Sequence, residues 1–166
     1  MPKKPSTKGV LDDLYARPGH LMRRCQQVHV ALFLRELEPL ELTPIQYSIV
    51  FVLSKLDGID QAALAGLVAL DRSTVGNVLM RLESRGLVKR ERSPDDGRSR
   101  VLRLTRKGKN LARDAGDPVA RVQQRLLSPL SAKERAAFVE SLRKIADSHN
   151  EASRAPVRHK VSLAAG

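Results

Sequence analysis

The chain has 166 residues, 42% of them hydrophobic, which is enough to fill the core of one domain. Its net charge of +12 points to nucleic acid or an anionic membrane surface, and its 3% of aromatic residues argues against a protein that stacks single-stranded bases. The absence of any apolar run near ~20 residues, of a signal-peptide pattern and of a second cysteine argues against a membrane span, secretion and an intrachain disulfide, so we expect a cytoplasmic protein.

The sequence of the N-terminal quarter predicts a flexible arm followed by a helix. Residues 1–10 are basic and contain Pro and Gly, so we expect a flexible arm. Within residues 11–40, the stretch 11–15 forms at most a short turn, and Pro18 opens a long helix that reaches about residue 37. Apolar side chains cover so much of this helix that it needs neighbours on two sides. The main apolar stripe contains Leu21, Cys25, Val28 and Leu32.

Residues 41–106 contain a pair of short helices in close succession. Thr43 and Gln46 form a capping box around Pro44, which predicts a helix that runs to about Lys55. After an Asp-Gly turn, Asp60 caps a helix over residues 61–68, and a short link leads to the next cap at Asp71. Two short helices joined this closely are typical of a helix-turn-helix.

The helix that follows Asp71 has the pattern of a DNA-recognition helix. Its core stripe contains Val75, Leu79 and Leu82, and Gly86 is placed to end it in a left-handed turn. The opposite face is short, polar and hardly acidic, which suits base edges in a major groove. We predict that this face contacts DNA through Ser73, Thr74, Gly76, Asn77 and Arg81.

A basic hairpin follows the recognition helix directly. Residues 87–92 and 98–104 read as two strands, and the Ser-Pro-Asp-Asp-Gly stretch between them is a turn signal. Residues 72–109 hold twelve Lys or Arg and four Asp or Glu, a net charge of +8. A helix followed by a cationic hairpin predicts a winged helix that attracts phosphate.

Residues 107–150 are predicted to be helical. One helix starts at Thr105 and continues to about residue 127, with Pro118 marking a kink or a boundary. A capping box at Ser131 opens a last helix that ends near residue 150 and is expected to turn Phe138, Leu142 and Ile145 inward. Residues 151–166 lose periodicity, so we expect a disordered tail.

Several of these motifs resemble one family of bacterial transcription regulators. The stretches Asp71–Val75 and Leu82–Val88, the Asp-Asp-Gly-Arg-Ser of the wing, and Leu102–Thr105 with Gly108 are similar in order and spacing to the MarR family. The resemblance covers roughly residues 20–150. It implies a mainly α, winged helix-turn-helix repressor that is a homodimer through a bundle of its N- and C-terminal helices. Such proteins bind double-stranded operator DNA and are often released by a small phenolic or aromatic acid.

Further contacts with DNA are assigned on this basis. Arg98 at the hairpin tip is expected in the minor groove, where narrow A·T tracts attract arginine. The family places an Asp beside this arginine to orient it, and Asp96 matches. We predict phosphate contacts for Arg72, Arg90, Arg92, Arg100 and Lys107, although each taken alone also reads as ordinary surface charge.

The sensing residues are predicted from weaker signals. His20 and Arg24 lie one helical turn apart and suit a carboxylate grip, together with Arg17. Tyr47 on the next helix is placed either to stack on an aromatic ring or to form a hydrogen bond with it. The family's ligands usually sit between the dimer-forming helices and the winged domain, where these residues would fall. An alternative is peroxide sensing through Cys25, which the apolar stripe and the lack of a second cysteine disfavour.

No enzyme signature accompanies these motifs. The four histidines lack metal-ligand spacing, and the sequence has neither a phosphate-binding glycine loop nor a nucleophile elbow. We therefore expect no catalytic residue, metal or cofactor. The competing hypothesis is an architectural DNA-binding protein that has no ligand and no sequence preference.

Overall fold

The computed structural model describes residues 6–92 and 100–158, in which eight α-helices and one two-stranded antiparallel sheet follow one another. The first helices are α1 (Thr7–Tyr15), α2 (Pro18–Glu36), α3 (Pro44–Lys55), α4 (Gln61–Leu67) and α5 (Arg72–Ser84). The sheet consists of β1 (Val88–Arg92) and β2 (Arg100–Leu104), and the last helices are α6 (Arg106–Asp114), α7 (Gly116–Leu126) and α8 (Ala132–Ser148). The mainly helical, winged helix-turn-helix fold expected from the sequence is confirmed.

The predicted starts of α3, α4, α5 and α8 are confirmed because each depends on a local side-chain cap, and α2 begins at the predicted Pro18 without such a cap. The Thr43 hydroxyl accepts from the Gln46 N–H while the Gln46 side chain accepts from the Thr43 N–H, which completes the capping box of α3. Asp60 accepts from two N–H groups of α4, and Ser131 and Glu134 form the second capping box at α8. Gly86 has a φ of +68°, so the predicted left-handed end of α5 is present.

Two helical stretches differ from the prediction. The stretch expected to form only a short turn belongs to α1, a nine-residue helix that begins at Thr7 and is capped by Ser6, so helix extends into the predicted arm. The single helix expected over residues 105–127 is two helices, α6 and α7, with the break at Ala115. Pro118 explains this break, because it has no N–H for the carbonyl of Asp114 and its ring would clash there. It lies instead in the first turn of α7.

The predicted disorder after residue 150 is wrong for residues 151–158. Asn150–Ala152 forms a 3₁₀ turn, and the following residues fold back towards α4. The Asn150 side chain accepts from the N–H of Val157, and the N–H of Arg158 donates to the carbonyl of Gly66. The sequence gives no periodic signal here because these contacts are single hydrogen bonds to distant residues.

The helix-turn-helix and the wing share one core, which we call the head core. Its fully buried side chains come from α3, α4, α5 and both strands, including Ile49, Leu64, Leu79 and Leu102. In the sheet, Val88 pairs with Leu104 and Arg92 with Arg100. Ile59, in the turn after α3, adds a bridge to Leu102 and so fixes the hairpin to the head.

A second core, the stem core, joins α2 to α7. It contains Phe33 and Leu37 from the end of α2, Leu42 from the next loop, and Ala115, Val119 and Val122 from α7 and the residue before it. Leu111 of α6 packs against both cores, so the head and the stem are joined by continuous apolar contact.

The inward packing predicted for α8 is not present within one chain. Phe138, Leu142 and Ile145 are 37%, 41% and 50% exposed, and α8 has no buried residue. The apolar residues of α1 and much of α2 are also exposed, among them Leu11, Leu14, Leu21 and Val28. These three helices thus present apolar faces that the rest of the described chain does not cover.

Among the described glycines, Gly108 is the one where an added side chain would meet the closest contact. An added Cβ would lie 2.1 Å from the carbonyl oxygen of Leu87, so α6 approaches the start of the wing closely because this residue is glycine. We expect Gly108→Ala to lower the free energy of unfolding by about 3 kcal/mol, the upper end of the usual overpacking penalty. Chemical unfolding at fixed protein concentration measures the change. Gly116→Ala is the matched control, because nothing lies within 4 Å of an added Cβ there; equal stability of the two variants would contradict the close approach.

Candidate nucleic-acid interface and ligand cluster

The recognition helix α5 is oriented by what it buries. Val75, Leu79 and Leu82 have no exposed area, while Met80 on the opposite side is 58% exposed. Because the apolar stripe is fixed in the head core, the other face must point to solvent. Of the five predicted base-reading residues, three are exposed and two half-buried. The exposed three are Ser73, Asn77 and Arg81.

The cap of α5 uses the hydroxyl protons of two of these residues. The Asp71 carboxylate accepts from the Ser73 hydroxyl and, at 2.8 Å each, from the N–H and the hydroxyl of Thr74. The Ser73 hydroxyl, the Thr74 N–H and hydroxyl, and nearby Arg154 together hold the pKa of the Asp71 carboxyl well below its usual range. Because these protons are used by Asp71, the hydroxyl oxygens of Ser73 and Thr74 can only accept a hydrogen bond from a base. The amino groups of adenine and cytosine are suitable donors.

Gln61, whose sequence context gives no functional signal, connects α4, α5 and β1 of the head. Its side-chain Nε2 donates to the carbonyl of Arg72 at 3.1 Å, and its Oε1 accepts from Arg90 at 3.0 Å. A Cβ at Gly76 would lie 3.2 Å from the same Nε2, so the glycine accommodates Gln61. The packing of α4 against α5 therefore accounts for Gly76, whose expected role was to let the backbone approach DNA.

The predicted phosphate-binding residues fall into two groups. Arg90 is half-buried, with its Nε 2.7 Å from Glu83 and its Nη1 bonded to Gln61, so much of its guanidinium is engaged within the protein. The Lys107 ammonium, although exposed, donates to the carbonyl of Arg85. The other three are exposed on α5 and on paired positions of the wing strands. These are Arg72, Arg92 and Arg100.

Two further arginines that contribute to the positive charge of this region have structural roles. Arg85 donates to the carbonyls of Leu40 and Glu41 at 3.0 and 2.7 Å, which ties the end of α5 to the loop before α3. Arg103 contacts Asp57 at 2.5 Å and Glu91 at 3.2 Å, which ties the wing to the turn after α3. The charge available to phosphate is therefore smaller than the composition suggests.

The predicted wing-tip contacts, Asp96 and Arg98, lie outside the described residues. Their assignment to the minor groove remains a prediction from the sequence.

The predicted sensing residues are partly brought together. His20 stacks at a tilt on Tyr15, with ring centroids 5.0 Å apart, and the guanidinium carbon of Arg24 lies 4.8 Å from the centroid of the same Tyr15 ring. We call Tyr15, His20 and Arg24 the ligand cluster. Tyr15 was not among the selected residues, although it lies close to them in the sequence. Arg17 is exposed at the start of α2.

His20 carries an unsatisfied polar atom. Its Nε2 is buried and has no hydrogen-bond partner among the described residues, while its Nδ1 lies 3.4 Å from the Arg23 guanidinium. A buried nitrogen without a partner is unfavourable by about 1–3 kcal/mol. Such an atom is a natural contact for a ligand that brings its own donor or acceptor.

Tyr47 belongs to a different group of aromatic residues. Its ring lies 5.9 Å from those of Phe33 and Phe51, so it packs from α3 against the stem core. Burial raises the pKa of its hydroxyl. The contacts described for Tyr47 do not include any with the ligand cluster, so its predicted role in ring stacking is not supported within one chain.

Cys25 is exposed, which corrects the expectation that it lies buried in an apolar stripe. It shares the uncovered face of α2 with Leu21 and Val28. Within the described parts of the chain, no three His, Cys, Asp or Glu side chains are grouped closely enough to bind a metal ion. Across residues 6–92 and 100–158, no helix has both the length and the hydropathy needed to cross a membrane.

Comparison with known proteins identifies the family. The MarR family model matches residues 42–99, the helix-turn-helix and wing. The HTH-type transcriptional repressor NicR of Pseudomonas putida is 34% identical over 141 residues, which cover 84% of this chain and 89% of NicR. The chain belongs to the MarR family. Members of this family are DNA-binding transcription regulators, so the winged helix-turn-helix is a DNA-binding unit.

Three solved structures are similar to this MarR-family chain. PcaV of Streptomyces coelicolor, in complex with its natural ligand, is 40% identical with a TM-score of 0.73, over 81% of this chain and 95% of PcaV. BpsR of Bordetella bronchiseptica, whose DNA binding is regulated by 6-hydroxynicotinic acid, is 30% identical with a TM-score of 0.75, over 79% and 94%. The transcriptional repressor CouR, bound to a 23-mer DNA duplex, is 33% identical with a TM-score of 0.76, over 86% and 99%.

The charge of the Asp71 cap predicts a defined dependence of stability on pH. Because its folded pKa is depressed, the charged cap stabilises the protein fully above the carboxyl's unfolded pKa, about 4, and this stabilisation is lost as pH falls through the folded value. We expect Asp71→Asn to lower the Tm at pH 7, and the difference from the unaltered protein to shrink below about pH 4. Thermal unfolding followed by circular dichroism at pH 7, 5 and 3 measures it.

Asp12→Asn is the control for this prediction, because it removes an exposed carboxylate of α1 that caps no helix. A Tm difference for Asp71→Asn that stays constant from pH 7 to pH 3 would show that the charge of the cap does not contribute.

Proposed function

We propose that this MarR-family protein is a homodimeric repressor that occupies a pseudo-palindromic operator and is released by a small aromatic acid. The observation that carries the proposal is the orientation of α5. Its three core side chains have no exposed area, so Ser73, Asn77 and Arg81 lie on a rigidly presented outer face. Side chains of these types on the outer face of a second helix suit the major groove.

The homodimer is supported by the helices that the chain leaves uncovered. α8 has 17 residues and buries none of them against the other described residues, whereas most of the stability of a helix in a protein comes from packing of its apolar face. The exposed apolar residues of α1 and α2 present matching surface. A second copy provides the same faces under twofold symmetry. Two recognition helices then lie about 34 Å apart, as a palindrome requires.

The aromatic acid is supported by the chemistry of the ligand cluster. The Arg24 guanidinium supplies donors for a carboxylate, the rings of Tyr15 and His20 provide aromatic surface, and the unpartnered His20 Nε2 can bond a ring hydroxyl or nitrogen. The relatives agree with this class, since BpsR responds to 6-hydroxynicotinic acid. We propose a hydroxybenzoate-like or pyridine-carboxylate ligand.

Release from DNA follows from the connection between stem and head. The ligand cluster lies at the start of α2, whose other end packs in the stem core, and Leu111 joins that core to the head core. A ligand that favours one arrangement of the stem helices therefore changes the spacing of the two heads. A coupling of about 1–3 kcal/mol between ligand and operator is enough for a useful response.

The DNA-reading assignment is tested by competition gel shifts on the DNA upstream of the gene. The unaltered protein is expected to prefer this duplex over a scrambled one, and Asn77→Ala to weaken the specific complex about 10- to 100-fold while leaving the non-specific complex unchanged. Ser84→Ala is the control, because Ser84 lies at the other end of the exposed face and donates to the carbonyl of Arg81. Equal binding to both duplexes by the unaltered protein would instead indicate an architectural DNA-binding protein.

The sensing assignment is tested by repeating the gel shift with a panel of benzoic and pyridine carboxylic acids. We expect Arg24→Ala to bind the operator normally and to need at least about tenfold more acid for release, because it loses the carboxylate donor. Arg35→Ala removes the same charge from the opposite end of α2 and should respond normally. A normal response by Arg24→Ala would exclude Arg24 from the ligand site.

A further inference from the structure

The chain ends its described part with a small folded unit, residues 150–158, which we call the tail segment. The Asn150 side chain closes it by accepting from the N–H of Val157 at 2.8 Å and donating to the carbonyl of Val157 at 3.2 Å. Glu151 and Arg158 form a bidentate pair with distances of 2.6 and 3.1 Å. The hydrogen bonds within the tail segment thus fix its shape independently of its contacts with the rest of the protein. We call these bonds its hydrogen-bond frame.

The tail segment docks on the first helix of the helix-turn-helix. The N–H of Arg158 donates to the carbonyl of Gly66 at 3.0 Å. Gly66 is in the last turn of α4, where helix carbonyls lack partners within the helix, so the tail segment acts as a cap. A Cβ at Gly66 would lie 2.9 Å from the Cβ of Arg158, so this approach depends on glycine.

The docked segment places Arg154 beside the start of the recognition helix. Its Nη2 lies 3.7 Å from the Asp71 carboxylate, and its side chain is 88% exposed. The ion pair is therefore loose, and most of the guanidinium is free. Arg158, in contrast, is engaged with Glu151 and Gly66, so the two arginines of the segment have different roles: Arg158 anchors, and Arg154 is presented to solvent.

We propose that Arg154 binds a phosphate of the DNA backbone next to the major groove that α5 enters, so that the tail segment is part of the DNA interface. This proposal rests on the DNA binding proposed above. The N-terminal end of a recognition helix contacts base edges, so a DNA strand passes close to it. The Asp71 carboxylate at that end repels a phosphate. A guanidinium beside it offsets the repulsion and supplies donors to the phosphate oxygens.

The salt dependence of binding tests the contact. Each phosphate neutralised contributes about 0.9 to the slope of log K against log salt, so Arg154→Ala, with one arginine lost per protomer, should reduce the slope by about 1.8. Between 50 and 200 mM salt, the unaltered protein should then lose about tenfold more affinity than the variant. The preference for operator over scrambled DNA should not change, since a phosphate contact does not read sequence.

Arg113→Ala is the matched control, because it removes one exposed arginine that pairs with its neighbour Asp114 at the far end of α6. An Arg154→Ala slope equal to that of Arg113→Ala would overturn the proposal. A higher operator affinity for Arg154→Ala would also overturn it, and would identify an autoinhibitory contact. If the unaltered protein binds no DNA, the proposed function itself fails, and that result is distinct from both.

Two variants test whether docking of the tail segment is required. Gly66→Ala pushes Arg158 away while favouring the helical conformation of α4, and Asn150→Ala opens the hydrogen-bond frame of the segment. Each should reduce the salt slope by about as much as Arg154→Ala does. When either is combined with Arg154→Ala in a double variant, the slope should fall no further. Thermal unfolding confirms that the variants are folded. If both fold and keep the slope of the unaltered protein, the docked segment does not present Arg154.

Discussion

The burial of Val75, Leu79 and Leu82 against the head core is the interaction on which the rest of the molecule depends. These three side chains of α5 have no contact with solvent, and they leave the helix one possible orientation. The wing, the Gln61 contact between α4 and α5, and the hydrogen bonds of Arg85 all hold α5 in that orientation. Large-to-small changes in such a core typically lower the free energy of unfolding by about 2–5 kcal/mol. The core contacts therefore hold the exposed face of α5 rigidly in place.

The second constraint is that one chain leaves apolar faces of several helices exposed to solvent. The head is complete in itself, whereas α1, α2 and α8 remain half-exposed. The described residues thus form a closed head and a stem whose apolar faces are exposed. In the proposed homodimer, a second copy covers those faces. The ligand cluster lies on this stem. In the proposed repressor, a small molecule bound there changes the spacing of the heads without touching the DNA-binding surface, which is the arrangement that an allosteric repressor requires.

Local signals were sufficient for most of the fold. The caps at Thr43, Asp60, Asp71 and Ser131 are made with groups only two or three residues further along the chain, so the sequence predicts them correctly. The same holds for the glycine turn at the end of α5. The N-terminal start of α1 was missed because its cap, Ser6, lies in a stretch whose composition otherwise indicates an arm.

Contacts between distant residues were not predictable from a single sequence. The partners of Gln61, Arg85 and Arg103 lie far along the chain, so these residues read only as polar or cationic surface. The apolar stripe predicted for α8 is present, but within one chain it does not pack inward. Periodicity shows that a helix has an apolar face but cannot tell which molecule covers it. Tyr15 completes the ligand cluster through ring contacts that only the turn between α1 and α2 creates.

The most direct test of this account is hydroxyl-radical footprinting of the purified protein on the DNA upstream of its gene. A dimer that carries two rigid reading heads should protect two stretches of backbone related by a twofold axis, with their centres about one helical turn apart, near 34 Å. A single protected stretch, or protection that moves freely along the DNA as the duplex is changed, would contradict the claim that the stem sets the spacing of two recognition helices.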